Sequence, residues 1–254
     1  MPLALVTGAS SGIGHAFARC LAAAGHDLVV VARDRARLEA LAASSPSVDV
    51  EVLVADLASA EGQASVEARL ASDERPVDLL VNNAGFGTTG RFWELPVDEE
   101  AREIAVNVIA LTRLTAAALP AMVARRAGGV INVASIAAFS PTPGTATYGA
   151  TKAYVLSFTQ ALREELRGTG VRALALCPGL TRTEFQERAG YEARGVGSRL
   201  WQSADEVAAT ALAALERDAG VCTPGLQNKA AAVAGSLVPR RLQARLAGFI
   251  SGQV

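Results

Sequence analysis

Residues 3–14 read LALVTGASSGIG, a short apolar run that leads directly into a turn rich in glycine and serine. The three glycines of this turn, Gly8, Gly12 and Gly14, let the backbone bend sharply from a strand into a helix. The following residues, HAFARCLAAAG, carry apolar side chains at intervals of three and four, the pattern of an amphipathic helix. This order of elements favours a nucleotide-binding turn over a plain tight turn, because the start of a helix binds phosphate groups.

The same alternation of apolar runs and helical patterns continues along the chain. Five further runs predict strands: DLVVVAR, VEVLVAD, VDLLVNNAG, GGVINVAS and VRALALCPG. Strands that are apolar on both faces and separated by helical crossovers predict a doubly wound α/β fold, with a mostly parallel sheet and helices on both sides. No linker rich in Pro, Gly and Ser interrupts the pattern, so we expect one domain over residues 1–254.

Composition excludes several classes of function. The net charge is -1 and half of the residues are hydrophobic, so we expect no nucleic-acid partner. The cysteines, Cys20, Cys177 and Cys222, are far apart and predict reduced core thiols, with no metal site. The N-terminal residues lack the features of a signal peptide, and no run approaches the length of a membrane span, so we expect a cytoplasmic protein without a transmembrane segment.

Unusual residues cluster where the predicted strands end, which is where doubly wound folds bind ligands. After the second strand the chain reads VVVARDR, and Arg33 supplies a guanidinium that can fork onto a ribose 2′-phosphate. This favours NADP(H) over NAD(H). Two other interpretations stay open: an idle, solvated Arg33, and an Asp34 that binds the ribose of NAD(H) instead.

The stretch TYGATKAY, residues 147–154, sets Tyr148 and Lys152 on one face of a helix. A cation close to a phenol favours the phenolate, so we expect Lys152 to lower the pKa of Tyr148. Such a pair also occurs by chance on helix surfaces, where both side chains lie along the protein and do no chemistry.

Taken in order, TGASSGIG, Asp56, NNAG, Asn107, Ser135, Tyr148-x-x-x-Lys152 and Pro178-Gly179 resemble the short-chain dehydrogenase/reductase family, over residues 3 to about 220. The resemblance implies a Rossmann-type sheet of about seven parallel strands and hydride transfer between NADP(H) and a carbonyl or alcohol. It also implies the roles of four catalytic residues. Tyr148 is the acid or base, Lys152 assists it and grips the nicotinamide ribose, Ser135 orients the substrate oxygen, and Asn107 holds a relay water.

The resemblance further implies how a dinucleotide is held. Asp56 contacts the adenine amino group, and Asn82 to Gly85 line the adenosine side. Pro178, Gly179 and Thr183 meet the carboxamide, although Thr181 departs from the usual aliphatic residue. The expected cofactor-binding residues are Gly8, Ser10, Ser11, Gly12, Ile13, Gly14, Arg33, Asp56, Leu57, Asn83, Ala84, Gly85, Tyr148, Lys152, Pro178, Gly179, Thr181 and Thr183.

Residues 183–202 are irregular and follow a strand, so we expect a lid over the substrate. Aromatic residues in it and in earlier loops predict an apolar wall and an aliphatic, aromatic or acyl carbonyl substrate; these are Phe185, Tyr191, Trp201, Phe86, Phe92 and Phe139.

The tail, residues 226–254, is basic and departs from the family's common ending. Its cations are Lys229, Arg240, Arg241 and Arg245, and Pro239 divides two amphipathic stretches. Four interpretations remain open: a helix packed on its own subunit, an oligomer contact, a surface for anionic lipid, and a dock for an acidic carrier protein. The resemblance implies a homodimer through helices at 98–126 and 148–168.

Two alternative functions stay open. A nucleotide-binding sensor would keep the fold without turnover, but it has little use for Ser135, Tyr148 and Lys152 together. An epimerase or dehydratase of nucleotide sugars shares the Tyr-Lys pair, but it usually has a T-G-x-x-G-x-x-G turn and a longer substrate region, and this sequence has neither.

Overall fold

Residues 1–190 and 201–237, which the computed structural model describes, contain one sheet of seven parallel strands. The strands are β1 (Leu3–Thr7), β2 (Asp27–Ala32), β3 (Val50–Val54), β4 (Leu79–Asn82), β5 (Gly128–Val133), β6 (Val171–Leu176) and β7 (Val221–Cys222). Their spatial order is β3-β2-β1-β4-β5-β6-β7. The predicted doubly wound α/β fold is confirmed. All six predicted strands are present, whereas β7 is too short to be recognised as an apolar run.

Helices cover both faces of this sheet. They are α1 (Gly12–Ala23), α2 (Arg35–Ala43), α3 (Ala60–Leu70), α4 (Val97–Ile104), α5 (Leu111–Arg125), α6 (Ala146–Glu165), α7 (Phe185–Arg188), α8 (Ala204–Glu216) and α9 (Leu226–Leu237). A π-helical turn, Ala105–Ala110, joins α4 to α5, and short 3-10 turns occupy Phe92–Glu94 and Ile136–Phe139. Side-chain caps start several helices, including a capping box of Ser203 and Glu206 at α8.

Strand β1 shows why the apolar runs form a sheet buried on both sides. All five of its residues are buried, but successive side chains point to opposite faces. Val6 shares one core with Phe17 of α1, while Leu5 shares the other with Leu114 of α5. Each face therefore needs its own layer of helices, and the crossovers supply both layers.

Buried polar groups tie the centre of the sheet to two helices. The amide of Asn82 donates to Thr115 Oγ1 at 3.0 Å and to Asn132 Oδ1 at 2.9 Å, and Asn132 in turn donates to Thr159 Oγ1 at 3.0 Å. Buried polar groups need such partners, because an unpaired group loses its hydrogen bonds to water. The first asparagine of NNAG is therefore a structural residue that positions α5 and α6.

The order of strands reverses at β1, whose neighbours are β2 and β4. The connections from these strands leave in opposite directions, which opens a crevice at the carboxyl edge of the sheet. Asn83 bridges its floor, because its Nδ2 donates to the Thr7 carbonyl at 2.9 Å. The loops that carry the unusual residues of the sequence all meet at this edge.

One helical stretch, Val97–Arg125, is long and apolar enough to cross a membrane by length and composition alone, with a mean hydropathy of 1.6. Polar residues interrupt its apolar runs, so it is apolar only on average. Leu114, Ala118 and Met122 of this stretch are buried in the core against the sheet. Core helices of globular domains share this composition, and α5 contributes these three side chains to the core.

Candidate active site

A cavity of about 1030 Å³ lies along the carboxyl edge of the sheet. Nearly every residue predicted for the site lines it. From the sequence-based set these are Gly8, Ser10, Ser11, Gly12, Ile13, Arg33, Asp56, Leu57, Asn83, Ala84, Gly85, Ser135, Tyr148, Lys152, Pro178, Gly179, Thr181 and Thr183. Two predicted residues, Gly14 and Asn107, do not line the cavity but contact residues that do.

The glycine-rich turn has the backbone that the sequence predicted. Gly8 and Gly12 have φ of 66° and 57°, a conformation that favours glycine. Gly14 is needed for packing instead, because a Cβ there would lie 2.3 Å from the Gly8 carbonyl oxygen. Ser11, at the N-cap of α1, makes no side-chain capping bond. The first N–H groups of α1 therefore remain available to an anion.

The guanidinium after β2 is exposed and lines the cavity. Within residues 1–190 and 201–237, no hydrogen bond or ion pair engages Arg33. Its neighbour Asp34 is occupied, since it accepts from the Arg37 N–H at 3.1 Å as the cap of α2 and pairs with the Arg37 guanidinium at 3.4 Å. This arrangement leaves Arg33 available to an anion and Asp34 turned toward its own helix.

Asp56 lies in the cavity wall, but both of its carboxylate oxygens already have partners. Oδ2 accepts from Arg102 at 2.9 Å, and Oδ1 accepts from the Ala58 N–H at 3.0 Å. Arg102 also lines the cavity, and the sequence offered no sign of it because it lies on α4, 46 residues away. The adenine contact expected of Asp56 stays a prediction.

Tyr148, Lys152 and Ser135 meet at the end of β5. Tyr148 lies in the first turns of α6, and Lys152, one turn later, donates from Nζ to the Val133 carbonyl at 2.9 Å. Nζ lies 5.7 Å from the centre of the Tyr148 ring. Ser135 accepts from the Ala137 N–H at 3.1 Å, which fixes its side chain at the start of a 3-10 turn. The three groups chosen from the sequence are thus brought together by β5 and α6.

The environment shifts the pKa values of this pair. Tyr148 is half-buried in the cavity wall, and burial raises its pKa to about 12, with Ser135 lowering it by a hydrogen bond and Glu103 raising it further. Burial lowers the pKa of Lys152 to about 8, while the charges of Glu103 and Cys177 raise it. The expected lowering of the Tyr148 pKa by Lys152 was wrong for this structure: desolvation dominates, and the ammonium is bound to the Val133 carbonyl.

Asn107 lies in the π-helical turn, a geometry often found near functional sites. Its amide donates to the Phe86 carbonyl at 2.9 Å and to Thr151 Oγ1 at 3.1 Å, and its Oδ1 accepts from the Phe86 N–H at 3.2 Å. The side chain therefore fastens the loop after β4 to α6. A relay water can reach only the second lone pair of Oδ1 or a backbone carbonyl, so the relay role stays a prediction.

Two carboxyl groups that the sequence did not suggest lie behind this loop. Glu100 and Glu103 of α4 are 4% and 0% exposed, and both contact the hydroxyl of Thr88, which lines the cavity. The only sign in the sequence is a run of acids in a charged amphipathic helix, which by itself indicates a solvated face.

Backbone hydrogen bonds join the two ends of the lid predicted at 183–202. The Arg182 N–H donates to the Gln202 carbonyl at 2.9 Å, and the Gln202 N–H donates to the Leu180 carbonyl at 2.9 Å. Thr183 packs close to Gly12, and Glu184 pairs with Arg37 of α2 at 3.0 Å. Residues 191–200, with Tyr191, lie outside the described residues.

The apolar wall is only partly as predicted. Phe86 and Phe185 line the cavity, and the rings of Phe185 and Tyr148 are 5.5 Å apart. Phe139 instead lines a smaller neighbouring cavity of about 400 Å³, and Phe92 is 57% exposed on a 3-10 turn. Trp201, at the end of the lid, is half-buried and lies outside the cavity lining.

The start of the basic tail packs on its own subunit, in α9. The buried Asn228 lies against Gly179, where a Cβ would come within 2.4 Å of its Oδ1. It also donates to the Pro224 carbonyl at 2.7 Å and to Gln202 at 3.0 Å. Asn228 therefore joins the tail, the lid base and the loop after β6. Residues 238–254, with Pro239 and three of the four tail cations, lie outside the described residues.

Comparison with known proteins extends these observations. The model of the short chain dehydrogenase family matches residues 2–193. A short-chain dehydrogenase from Sphingobium yanoikuyae, solved in complex with NADPH, is 40% identical with a TM-score of 0.85, over 99% of this chain and 96% of that one. A bulky-bulky ketone specific alcohol dehydrogenase from Comamonas testosteroni is 33% identical with a TM-score of 0.80, over 99% and 94%. Sulfoacetaldehyde reductase 2 of Chromohalobacter salexigens is 38% identical over 186 residues, 72% of this chain and 74% of that protein.

Proposed function

This chain belongs to the short-chain dehydrogenase family, and we propose that it reduces a ketone or aldehyde to an alcohol at the expense of NADPH, or runs the reverse reaction, with Tyr148 as the acid or base. The observation that carries the proposal is the meeting of Tyr148, Lys152 and Ser135 beside β5. Across the crevice between β1 and β4, Arg33 lines the same cavity.

The cavity fits a nicotinamide dinucleotide. The left-handed backbone at Gly8 and Gly12 and the uncapped start of α1 suit a pyrophosphate, which accepts hydrogen bonds from backbone N–H groups. We assign the adenosine side to Asp56, Leu57, Asn83 and the residues that follow it. Pro178, Gly179, Thr181 and Thr183 are assigned to the nicotinamide side. When bound, the cofactor supplies the hydride.

Arg33 is the basis for the proposed preference for NADPH over NADH. A guanidinium with no partner in the described residues can form two parallel bonds to a ribose 2′-phosphate, whereas NADH presents only a hydroxyl. Asp34, the residue that would favour NADH, is held by Arg37 as a helix cap. The relative solved with NADPH is consistent with this choice.

The chain's own groups handle the proton. Ser135 and Tyr148 converge on one point, where both hydroxyls donate to the substrate carbonyl oxygen. As the carbonyl carbon is reduced, Tyr148 passes its proton to that oxygen, and the raised pKa of Tyr148 does not prevent this because an alkoxide is a stronger base than a phenolate. The positive charge of Lys152, held by the Val133 carbonyl, then stabilises the phenolate until a proton from solvent replaces the one transferred. Asn107 holds the loop after β4 in position.

The walls of the cavity favour a carbonyl compound with an apolar substituent. Phe86 and Phe185 border the reacting end and suit an apolar substituent. Aliphatic, aromatic and acyl carbonyl compounds all fit this description. Relatives named for sulfoacetaldehyde and for bulky ketones show that the family accepts both small and large carbonyl compounds.

We also propose a cytoplasmic homodimer formed through α4, α5 and α6. Apolar side chains are exposed on these helices, namely Ile104, Ile109, Val123 and Tyr154. Burying them against a second copy is favourable, since each removes apolar area from water.

Two measurements test the proposed function. NADPH and NADH are titrated by fluorescence, and aldehydes and ketones are then screened for oxidation of the better cofactor. Tyr148→Phe should keep cofactor affinity and lose turnover by orders of magnitude, whereas Tyr154→Phe, on the same helix but exposed, should stay active. Tight binding with no turnover of any carbonyl compound would favour the sensor and overturn the reductase.

A further inference from the structure

Glu100 and Glu103 form a buried carboxyl pair behind the loop after β4. The Thr88 hydroxyl lies 2.5 Å from Glu100 Oε1 and 3.0 Å from Glu103 Oε2. The Thr88 N–H donates to Glu103 Oε2 at 3.0 Å, and the Thr147 hydroxyl donates to Glu100 Oε2. The second oxygen of Glu103, Oε1, is buried with no hydrogen-bond partner.

A threonine hydroxyl has one hydrogen, yet Thr88 Oγ1 lies within hydrogen-bonding distance of two carboxyl groups. If both were ionised, they would have to divide this single hydrogen in a weaker, bifurcated bond. A proton on one carboxyl group lets that group donate to Oγ1, so that both contacts are full hydrogen bonds. Two buried like charges this close would also repel each other strongly, which favours the singly protonated pair.

The groups that face Glu103 belong to α4 and α6. On its own helix the neighbour is Glu100. From α6, Lys152 and Tyr148 reach the same loop as Glu103: a Cβ at Gly85 would lie 3.3 Å from Lys152 Nζ and one at Gly87 would lie 2.9 Å from the Tyr148 ring, while Thr88 is bonded to Glu103. The charge of Glu103 raises the pKa of both Lys152 and Tyr148. Cys177, after β6, is a further buried group that acts on Lys152. No other carboxylate acts on both proton carriers of the site within the part of the chain that the structure describes.

We propose that Glu100 and Glu103 share one proton through the Thr88 hydroxyl, and that Glu103, once ionised, acts as a positioning residue that keeps Lys152 and Tyr148 protonated. The inference rests on the proposed function, because it assigns these carboxyl groups a part in that reaction. It also predicts a preferred direction: a relay that holds its protons suits carbonyl reduction more than alcohol oxidation.

The signs of these interactions make the arrangement useful. Burial is the largest cause that raises the pKa of Glu103, and burial lowers the pKa of Lys152 while the charge of Glu103 raises it. The negative charge that Glu103 gains on ionisation therefore opposes the loss of the Lys152 proton, so reduction continues to a higher pH than a buried lysine alone would allow.

The shared proton is tested first, in the cofactor-free protein. Infrared difference spectra between pH 5 and pH 9 should show the carbonyl stretch of a protonated, buried carboxyl group, and this band should vanish in Glu103→Gln. Thr88→Val, which removes the bridging hydroxyl, should shift the band. Absence of the band in the wild type at pH 5 would overturn the shared proton, whatever the protein's activity.

The effect on the relay is tested by the pH profile of kcat/KM for reduction. Glu103→Gln should move the alkaline limb to lower pH by ~1 unit, the usual effect of removing one close opposite charge. Glu100→Gln is the matched control: it has the same burial and size, but it leaves the charge that faces Lys152, so its alkaline limb should stay in place. Equal shifts in both variants would mean a structural role and refute the inference, as would no shift in Glu103→Gln. A wild type that reduces no carbonyl compound would refute the proposed function instead, while the infrared result would stand.

Discussion

The raised pKa of the buried Glu103 carboxyl group predicts the direction in which stability changes with pH. Its pKa is raised from an ordinary value of 4.5 to about 7 in the folded protein, with burial as the largest cause. A group whose folded pKa lies above its unfolded value stabilises the folded state fully at low pH, and this contribution is lost as the pH rises through the folded value. Wild-type stability should therefore fall between about pH 4.5 and pH 7 on account of this group.

The magnitude follows from the two pKa values. Their separation corresponds to ~3 kcal/mol, at ~1.4 kcal/mol for each pH unit. This figure is an upper bound, because Glu103 is coupled to the charge of Glu100. Glu103→Gln keeps the size of the side chain and cannot ionise. We expect its stability relative to wild type to improve by ~1–3 kcal/mol between pH 5 and pH 8.5.

The assay is urea unfolding followed by far-UV circular dichroism at both pH values, with and without the substitution. Glu39→Gln, on the exposed surface of α2, is the control and should show no such dependence on pH. The difference between the two pH values isolates the ionisation, since any packing change caused by glutamine contributes equally at both. If Glu103→Gln and wild type changed in parallel from pH 5 to pH 8.5, the reasoning about a raised pKa would be refuted.

Three further predictions concern the cofactor loop, the turn after β1 and the tail. Arg33→Ala should weaken NADPH by ~1.5–3 kcal/mol and leave NADH nearly unchanged, which fluorescence titration of both cofactors would check. Gly14→Ala should destabilise the protein by ~1–3 kcal/mol in urea unfolding, because its Cβ would collide with the backbone of Gly8; an unchanged midpoint would contradict this packing. Asn228→Ala should cost ~1–3 kcal/mol through the lost bond to the buried Pro224 carbonyl and should raise KM, whereas an unaltered KM would separate α9 from the site.

Much of the fold was predictable because its signals are local. Parallel strands buried on both faces need apolar residues at every position, so runs such as LALVT and DLVVVA are visible in the sequence. β7 escaped prediction for the same reason: with two residues it has no pattern, and its place depends on pairing with β6. The position of this missed strand is therefore set by tertiary context.

The features of the candidate site also divide into short-range features, visible in the sequence, and long-range ones, which are not. The glycine-rich turn and the spacing of Tyr148 and Lys152 are short-range features, because turn and helix geometry place such residues without help from the rest of the chain. The partners of these groups are long-range. The sequence does not show that Asn107 fastens the Phe86 loop, nor that Lys152 donates to the Val133 carbonyl.

The sequence by itself determined the alternation of strands and crossovers, the nucleotide-binding turn and the reacting side chains, since each depends on residues within a few positions of one another. Only the tertiary structure decided which groups surround these side chains. Thr88 meets Glu103 across 15 residues, Thr147 meets Glu100 across 47, and Asn228 reaches Gly179 from the tail. Burial and long-range pairing set the pKa values, so the protonation chemistry of the site appears only when the crossovers have brought β5, α4 and α6 together.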